Sequence, residues 1–295
     1  MNDSAMIGVF DSGVGGLSVW RELVRQLPHQ DIIYLADQAH VPYGSRQLAE
    51  VRELSAGVTR FLLAQGASMI VVACNTASAA SLHHLRRLFP EVPFVGMEPA
   101  VKPAVERTHN GIVGVIATQA TFQGELFASL IKRYAGDVQV LTQICPGLVE
   151  AVEAGALDTP ETESLLRECL NPLVKAGADQ LVLGCTHYPF LRLTIERIVG
   201  TGMAVIDPAP AVARQTRRVL ARQELVTGCS GGGRWVFYTS GDAAAFAALI
   251  EQLIPLYGTG ADVRAVRWRA GRLDASAVPS SDHPGRNLRT LRPMV

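Results

Sequence analysis

The stretch Val71-Val72-Ala73-Cys74-Asn75-Thr76 is an apolar, β-branched run that ends in a cysteine, then in two small polar residues suited to open a helix. It has an echo at Leu181-Val182-Leu183-Gly184-Cys185-Thr186, again an apolar run closed by Cys and followed by Thr. Each is followed by a second echo. Gly96-Met97-Glu98-Pro99-Ala100 and Val205-Ile206-Asp207-Pro208-Ala209 both leave a β-branched run through an acid and Pro-Ala. Two echoes in the same order indicate an internal repeat, and so two pseudo-equivalent lobes.

The rest of the chain fits that reading. Short apolar runs predict strands at 7–10, 32–35, 69–73, 94–96, 112–117, 138–142, 180–183 and 204–206. Longer amphipathic stretches predict helices at 17–27, 45–65, 77–88, 124–135, 160–176 and 189–198 between them, with one more strand and helix at 234–239 and 242–253. Strands alternating with helices predict an α/β fold: two lobes of parallel sheet flanked by helices, with the active site in the cleft between them. The Pro-Ala segments are the crossings. They place residues 1–97 with 208–273 in one lobe and 98–207 in the other. Residues 274–295, with Pro279, Ser280, Ser281, Pro284, Gly285 and three arginines, have too few apolar side chains for a core and predict a disordered tail.

Composition narrows the function class. The 295 residues are 48% hydrophobic, which is ample for a large core, and 27 basic side chains balance 27 acidic ones. Zero net charge argues against a protein that holds nucleic acid or an anionic membrane by bulk charge. No apolar run approaches the roughly 20 residues of a bilayer span, and the polar start Met1–Met6 lacks a signal-peptide pattern. A cytoplasmic protein is expected. A homodimer is compatible with the sequence, and nothing in the residues fixes the oligomeric state.

Five cysteines (Cys74, Cys145, Cys169, Cys185 and Cys229), odd in number and without a CxxC pair, argue against a disulfide framework. Cys185-Thr186-His187 alone brings Cys and His close, too few ligands for zinc. Cys145, Cys169 and Cys229 read as packed or surface thiols.

Ligands of open α/β sheets sit beyond the carboxyl ends of strands. The junctions there are Asp11-Ser12-Gly13-Val14-Gly15-Gly16, Val41-Pro42-Tyr43-Gly44, Cys74-Asn75-Thr76, Thr118-Gln119-Ala120-Thr121 and Cys185-Thr186-His187-Tyr188-Pro189. They hold hydroxyls, amides and glycines but no Lys or Arg. Taken singly, Asp11-Ser12 and Asn75-Thr76 are ordinary helix caps. The glycine-rich first junction matches neither GxGxxG nor GxxxxGK[ST], so it makes a poor nucleotide loop. The cysteines change this. Cys74 and Cys185 end equivalent strands against helix starts, where a thiol is expected to favour its thiolate. Facing each other across a cleft, one sulfur can take a proton from a carbon while the other returns one to the opposite face. That inverts a stereocentre. Asp11 and His187 are placed to tune the two sulfurs.

The segments Ile7-Gly8-Val9-Phe10-Asp11-Ser12-Gly13-Val14-Gly15-Gly16-Leu17, Ala36-Asp37 with Pro42-Tyr43-Gly44, Ala73-Cys74-Asn75-Thr76-Ala77 and Leu183-Gly184-Cys185-Thr186-His187-Tyr188-Pro189 resemble the signatures of glutamate racemases, within the aspartate/glutamate racemase superfamily. The resemblance runs from about Ile7 to Leu253. It implies interconversion of L- and D-glutamate by two-base proton transfer at Cα, with no cofactor and glutamate as the small-molecule partner. The D-glutamate would serve peptidoglycan synthesis. It makes Cys74 and Cys185 the acid/base pair and carries substrate contacts onto Asp11, Ser12, Tyr43, Gly44, Asn75, Thr76, Thr186 and His187. Thr118 and Thr121 fall where further hydroxyl contacts are expected, and Glu153, in Val152-Glu153-Ala154-Gly155, near the site. Only six residues precede the first strand, shorter than the extension that accompanies activation by a cell-wall precursor, so that regulation is not expected.

Rival readings differ in their residues. A racemase of aspartate or a hydantoin would share the fold but not the Cys185–Pro189 and Asp11-Ser12-Gly13 segments. A binding protein without activity leaves one cysteine per lobe unexplained. A pyridoxal-phosphate racemase needs a Schiff-base lysine. Of Lys102, Lys132 and Lys175, the only lysines, just Lys102 lies near a crossing.

Overall fold

A computed structural model describes residues 5–225 and 232–275. Strand and helix alternate from the start: β1 (Met6–Asp11), α1 (Leu17–Gln26), β2 (Asp31–Ala36), α2 (Leu48–Ala64), β3 (Ala67–Val72), α3 (Asn75–Leu88) and β4 (Phe94–Gly96). After a crossing through α4 (Val101–Arg107) the alternation resumes with β5 (Ile112–Ala117), α5 (Gln119–Gln123), α6 (Glu125–Tyr134) and β6 (Gln139–Ile144). It continues through α7 (Leu148–Glu153), α8 (Pro160–Lys175), β7 (Gln180–Leu183), α9 (Arg192–Val199) and β8 (Ala204–Ile206). The chain returns by α10 (Ala209–Arg222) to β9 (Trp235–Thr239), α11 (Ala243–Leu253), α12 (Pro255–Gly258) and β10 (Asp262–Ala265). An antiparallel hairpin, β11 (Arg267–Arg269) and β12 (Arg272–Asp274), follows.

Two parallel sheets result, in the orders β10-β9-β2-β1-β3-β4 and β6-β5-β7-β8. The run β2-β1-β3-β4 is the same arrangement as β6-β5-β7-β8. In each, the first strand is central, the second lies on one side, and the third and fourth on the other. Strand order therefore reverses between β1 and β3 and between β5 and β7, and such switch points are where open parallel sheets receive ligands. Cys74 follows β3 and Cys185 follows β7. The echo in the sequence is thus an echo in topology.

Period-two side-chain alternation explains why both faces of the first sheet are covered. Ile32, Tyr34, Met69 and Val71 join one core; Ile33, Leu35, Ile70 and Val72 join the other. Each such aliphatic side chain contributes roughly 1.5–3 kcal/mol when fully buried. The first core continues through Val14 and Leu17 into Val149, Val152, Leu183 and Tyr188, so apolar packing joins the two sheets. Helix starts follow local chemistry. Thr159 caps α8 by accepting the Thr162 N–H at 3.2 Å, with Pro160 in the first turn and Glu161 and Glu163 facing the N-terminus.

Several expectations are corrected. The helix expected over 45–65 divides into a 3-10 turn at Tyr43–Ser45 and α2, because Arg46 is extended (φ −88°, ψ 159°). A 3-10 turn at Tyr188–Leu191 likewise precedes α9, so Cys185 leads into a tight turn rather than directly into a helix. Cys145 and Cys169 are joined as a disulfide, with Cα atoms 5.5 Å apart, where spacing alone read separate thiols. The packing of α8 beside the end of β6 brings them together. Lys102 pairs with Glu106 at 3.7 Å on the exposed face of α4. Among the described residues no helix is long and apolar enough to cross a membrane. Cys229 and residues 276–295 lie outside the described residues.

Candidate active site

Asp11 ends β1 and is completely buried. Its Oδ1 accepts the Ser12 N–H at 2.6 Å and the Ser12 hydroxyl at 3.2 Å, and its Oδ2 accepts the Thr186 hydroxyl at 3.0 Å. The Cys74 thiol and this carboxyl group lie close enough for each to influence the other's protonation. Burial raises the Asp11 pKa, with the charge of His187 the largest opposing influence. Cys74 caps α3, its Sγ accepting the Ala77 N–H at 3.4 Å. Even so, burial first and the Asp11 carboxylate second push this thiol well above its ordinary value. The expectation of a helix-stabilised thiolate is therefore corrected for Cys74. One long N–H contact does not outweigh desolvation beside a carboxylate.

The other sulfur has a different neighbour. His187 Nδ1 lies 3.6 Å from Cys185 Sγ, and His187 Nε2 lies 2.7 Å from Glu153 Oε1. Burial is the largest influence on His187 and disfavours its charge, yet Cys185 and Glu153 together raise it well above an ordinary imidazole. Burial likewise works against the Glu153 carboxylate, and His187, Gln38 and the Val14 N–H overcome it, leaving the carboxyl lowered. The Val14 N–H donates to Glu153 Oε1 at 2.7 Å and the Gln38 amide to Oε2 at 3.0 Å. A cation is thus held next to Cys185, while an acid group is held next to Cys74.

Gly13 is required by this arrangement, since a Cβ there would overlap the Glu153 carboxylate. Gly15 leaves room in the same way for the His187 ring.

Hydroxyls cross from one sheet to the other. Thr76 Oγ1 lies 2.9 Å from Thr118 Oγ1 and 3.4 Å from Thr121 Oγ1, and Thr118 and Thr121 are 3.0 Å apart. Neither polar atom of the buried Asn75 amide has a partner. A buried amide left unpaired costs stability, so this one is suited to pair with a bound ligand. Tyr43 points its hydroxyl away to Asp37 Oδ2 at 2.7 Å, leaving the turn with Gly44 against Thr118.

These groups surround one small pocket, lined by Ser12, Tyr43, Gly44, Cys74, Asn75, Thr76, Thr118, Cys185, Thr186 and His187, together with Pro42 and Val149. Asp11, Thr121 and Glu153 stand directly behind it, bonded to lining residues. All the candidate residues are therefore in one place. Val14, Gln38 and Asp37 enter only as supports, and Gln38 and Val14 carried no signal beyond adjacency to the motif residues. The pocket's volume is about 10 Å³, room for about one water, so an amino acid enters only if the cleft widens. Among the described residues no three or more His, Cys, Asp or Glu side chains are grouped to hold a metal.

Comparison with known proteins gives concordant results. Residues 7–216 match the family model for Asp/Glu/hydantoin racemase. A glutamate racemase of Roseiflexus sp. is 51% identical over 248 residues, 84% of this chain and 91% of that protein. The crystal structure of a glutamate racemase isoform from Bacillus anthracis superposes with a TM-score of 0.81 at 31% identity, covering 92% of this chain and all of that one. That of Francisella tularensis, in complex with D-glutamate, gives 0.75 at 29% identity over 86% of this chain and 94% of its own.

Proposed function

This chain belongs to the Asp/Glu/hydantoin racemase family, and we propose that it is a glutamate racemase using Cys74 and Cys185 as its two bases. One observation carries the reading. Two cysteines that follow the third strands of topologically equivalent sheets line a single pocket.

Glutamate lies with its Cα between the sulfurs. The sulfur on one face, as thiolate, takes the Cα proton and becomes a thiol, and the bonding pair stays on Cα beside the α-carboxylate. The opposite thiol then gives its proton to the other face and becomes the thiolate. Substrate of the other configuration uses the same groups in exchanged roles. Asp11 favours the protonated form of Cys74, and His187, fixed by Glu153, exchanges a proton with Cys185. Asn75, Thr76, Thr118, Thr121 and Thr186, with the backbone of Ser12, Tyr43 and Gly44, supply neutral donors for the carboxylates and the developing carbanion. Lobe one is residues 1–97 with 208–273 and lobe two is 98–207, so each contributes one sulfur. The product D-glutamate serves peptidoglycan synthesis in the cytoplasm.

The test is a chiral assay of purified protein with L-glutamate, in buffer free of pyridoxal phosphate and treated with chelator. D-glutamate should accumulate to an equal mixture. Turnover of L-aspartate or a hydantoin in its place would overturn the substrate assignment.

A further inference from the structure

Trp268 lies on β11, far beyond residues 7–216, and its indole N–H donates to Asp37 Oδ1 at 2.7 Å. Asp37 is a buried carboxylate with four side-chain donors. Trp268 and the Ser240 hydroxyl (2.7 Å) share Oδ1, the Tyr43 hydroxyl (2.7 Å) reaches Oδ2, and His40 Nδ1 bridges both oxygens at 3.2 and 3.0 Å. Oδ1 therefore takes the donors that come from the C-terminal strands, and Oδ2 the hydroxyl of the turn that lines the pocket. The indole also occupies a made-to-measure slot. A Cβ at Gly57, on α2, would come within 2.6 Å of Trp268 Cη2 and Cζ3, so only glycine leaves room for the ring. The ring meets His40 edge to face, with centroids 5.3 Å apart.

We propose that Trp268 is a positioning residue for substrate binding: by orienting the Asp37 carboxylate it fixes Tyr43, and with it the Tyr43-Gly44 turn that lines the pocket. This rests on the reading of the pocket as a glutamate site. The linkage is short. Losing the indole donor leaves Oδ1 with Ser240 and the longer His40 contact, and the carboxylate is then less firmly held against turning. Turning lengthens the Tyr43 bond, and the backbone N–H groups of the turn lose their fixed direction toward a bound carboxylate. Affinity suffers while the sulfurs and their neighbours stay in place. The arginine-flanked hairpin thereby works as a strap on the cleft from the far end of the chain.

Three variants of the full chain test this. Trp268→Phe keeps the ring in its slot and deletes the donor. Gly57→Ala removes a helix-weakening glycine but pushes the indole out. Tyr43→Phe deletes the hydroxyl through which Asp37 acts. Trp268→Phe and Gly57→Ala should each raise KM for glutamate about fivefold with kcat within twofold of the parent, the size of one lost hydrogen bond. In the Tyr43→Phe background, Trp268→Phe should add nothing further. Hydrogen exchange of the peptide spanning Asp37–Gln47 should quicken in both variants without glutamate present. An unchanged KM with unchanged exchange in folded Trp268→Phe would overturn the proposal, as would an effect undiminished by Tyr43→Phe. If the parent does not turn over glutamate, the functional reading falls, and exchange at the turn still decides whether Trp268 holds it.

Discussion

The carboxylate of Glu153 lies 2.7 Å from Nε2 of His187, and each holds the other in its charged form. Both are nearly buried, at 12% and 3% side-chain exposure, so the pair is weakly screened. Glu153 also accepts the Val14 N–H from the other side of the cleft. One carboxylate therefore orients the imidazole beside Cys185 and ties the two sheets together.

This pair predicts how stability depends on pH. The folded-state pKa of His187 is raised, so its contribution is complete below the ordinary imidazole value of 6.5 and is lost as pH rises through the raised value. Glu153 is lowered, so its share is complete above 4.5 and is lost as pH falls through the lowered value. Between about pH 4.5 and 6.5 both are present in full. Glu153→Gln should therefore lower stability by about 1–3 kcal/mol in that window, with the gap to the parent narrowing at alkaline pH. Urea melts at pH 6 and at pH 9–10 check it. A gap that widens with rising pH would refute the assignment.

Gly13 gives a second route to the same carboxylate. Gly13→Ala leaves every ionisable group intact but puts a methyl group where Glu153 Oε1 sits. Displaced, Glu153 no longer supports the imidazolium, so the alkaline limb of kcat/KM should move to lower pH in Gly13→Ala, and equally in Glu153→Gln. The rate at its optimum should fall at least about tenfold, or 1.4 kcal/mol in the barrier. A pH–rate profile that is merely scaled down, with its alkaline limb unmoved, would mean that Glu153 acts only as a tether.

How far the residues alone led follows the range of the interactions. Strand and helix periodicity is local, so 94–96, 112–117, 180–183 and 204–206 are strands as expected. The repeated Cys-Thr endings of 71–76 and 181–186 placed both sulfurs at strand ends, because that pattern is carried within six residues. What stayed hidden depends on partners far apart in sequence. The Cys145–Cys169 disulfide, the Gln38 and Val14 bonds to Glu153, and the β11–β12 hairpin are set by tertiary packing that no window of residues contains. The protonation of Cys74 is not legible in the sequence for a related reason. A helix start is visible in sequence, but the burial of Asp11 against the thiol is not.

The disulfide makes its own prediction. It closes a loop with a sequence separation of 24 and lies outside the pocket lining. Replacing Cys145 and Cys169 together by Ser should cost about 3 kcal/mol by chain entropy while leaving racemisation within a few-fold of the parent. Thermal melts with and without a dithiol reductant, alongside the chiral assay, measure both. Loss of activity in the folded double variant would show that the bridge shapes the site through α7.

Single substitutions of the two sulfurs proposed as bases should behave unlike these. Cys74→Ala and Cys185→Ala should each retain the fold, by circular dichroism, and lose racemisation by several orders of magnitude. On the proposed two-base reading each sulfur serves one face of Cα, so the pair acts as a unit. A folded single variant racemising near the parent rate would end the two-base assignment.

The origin of the incoming proton gives the most direct reading of that assignment. Starting from L-glutamate in D2O, one sulfur removes the Cα proton and the opposite sulfur, already equilibrated with solvent, delivers deuterium. The raised pKa of Cys74 means that a proton is resident on that sulfur at neutral pH, ready to exchange and to be donated. D-glutamate formed at low conversion should therefore carry deuterium at Cα, and the remaining L-glutamate should stay protiated. Starting from D-glutamate the labels should reverse, because Cys74 and Cys185 exchange roles. A single base serving both faces would return its abstracted proton, giving protium in the product or early deuterium in the starting isomer. Mass spectrometry of chirally separated glutamate at a few per cent conversion distinguishes the two, and either of those last patterns would remove one cysteine from the mechanism.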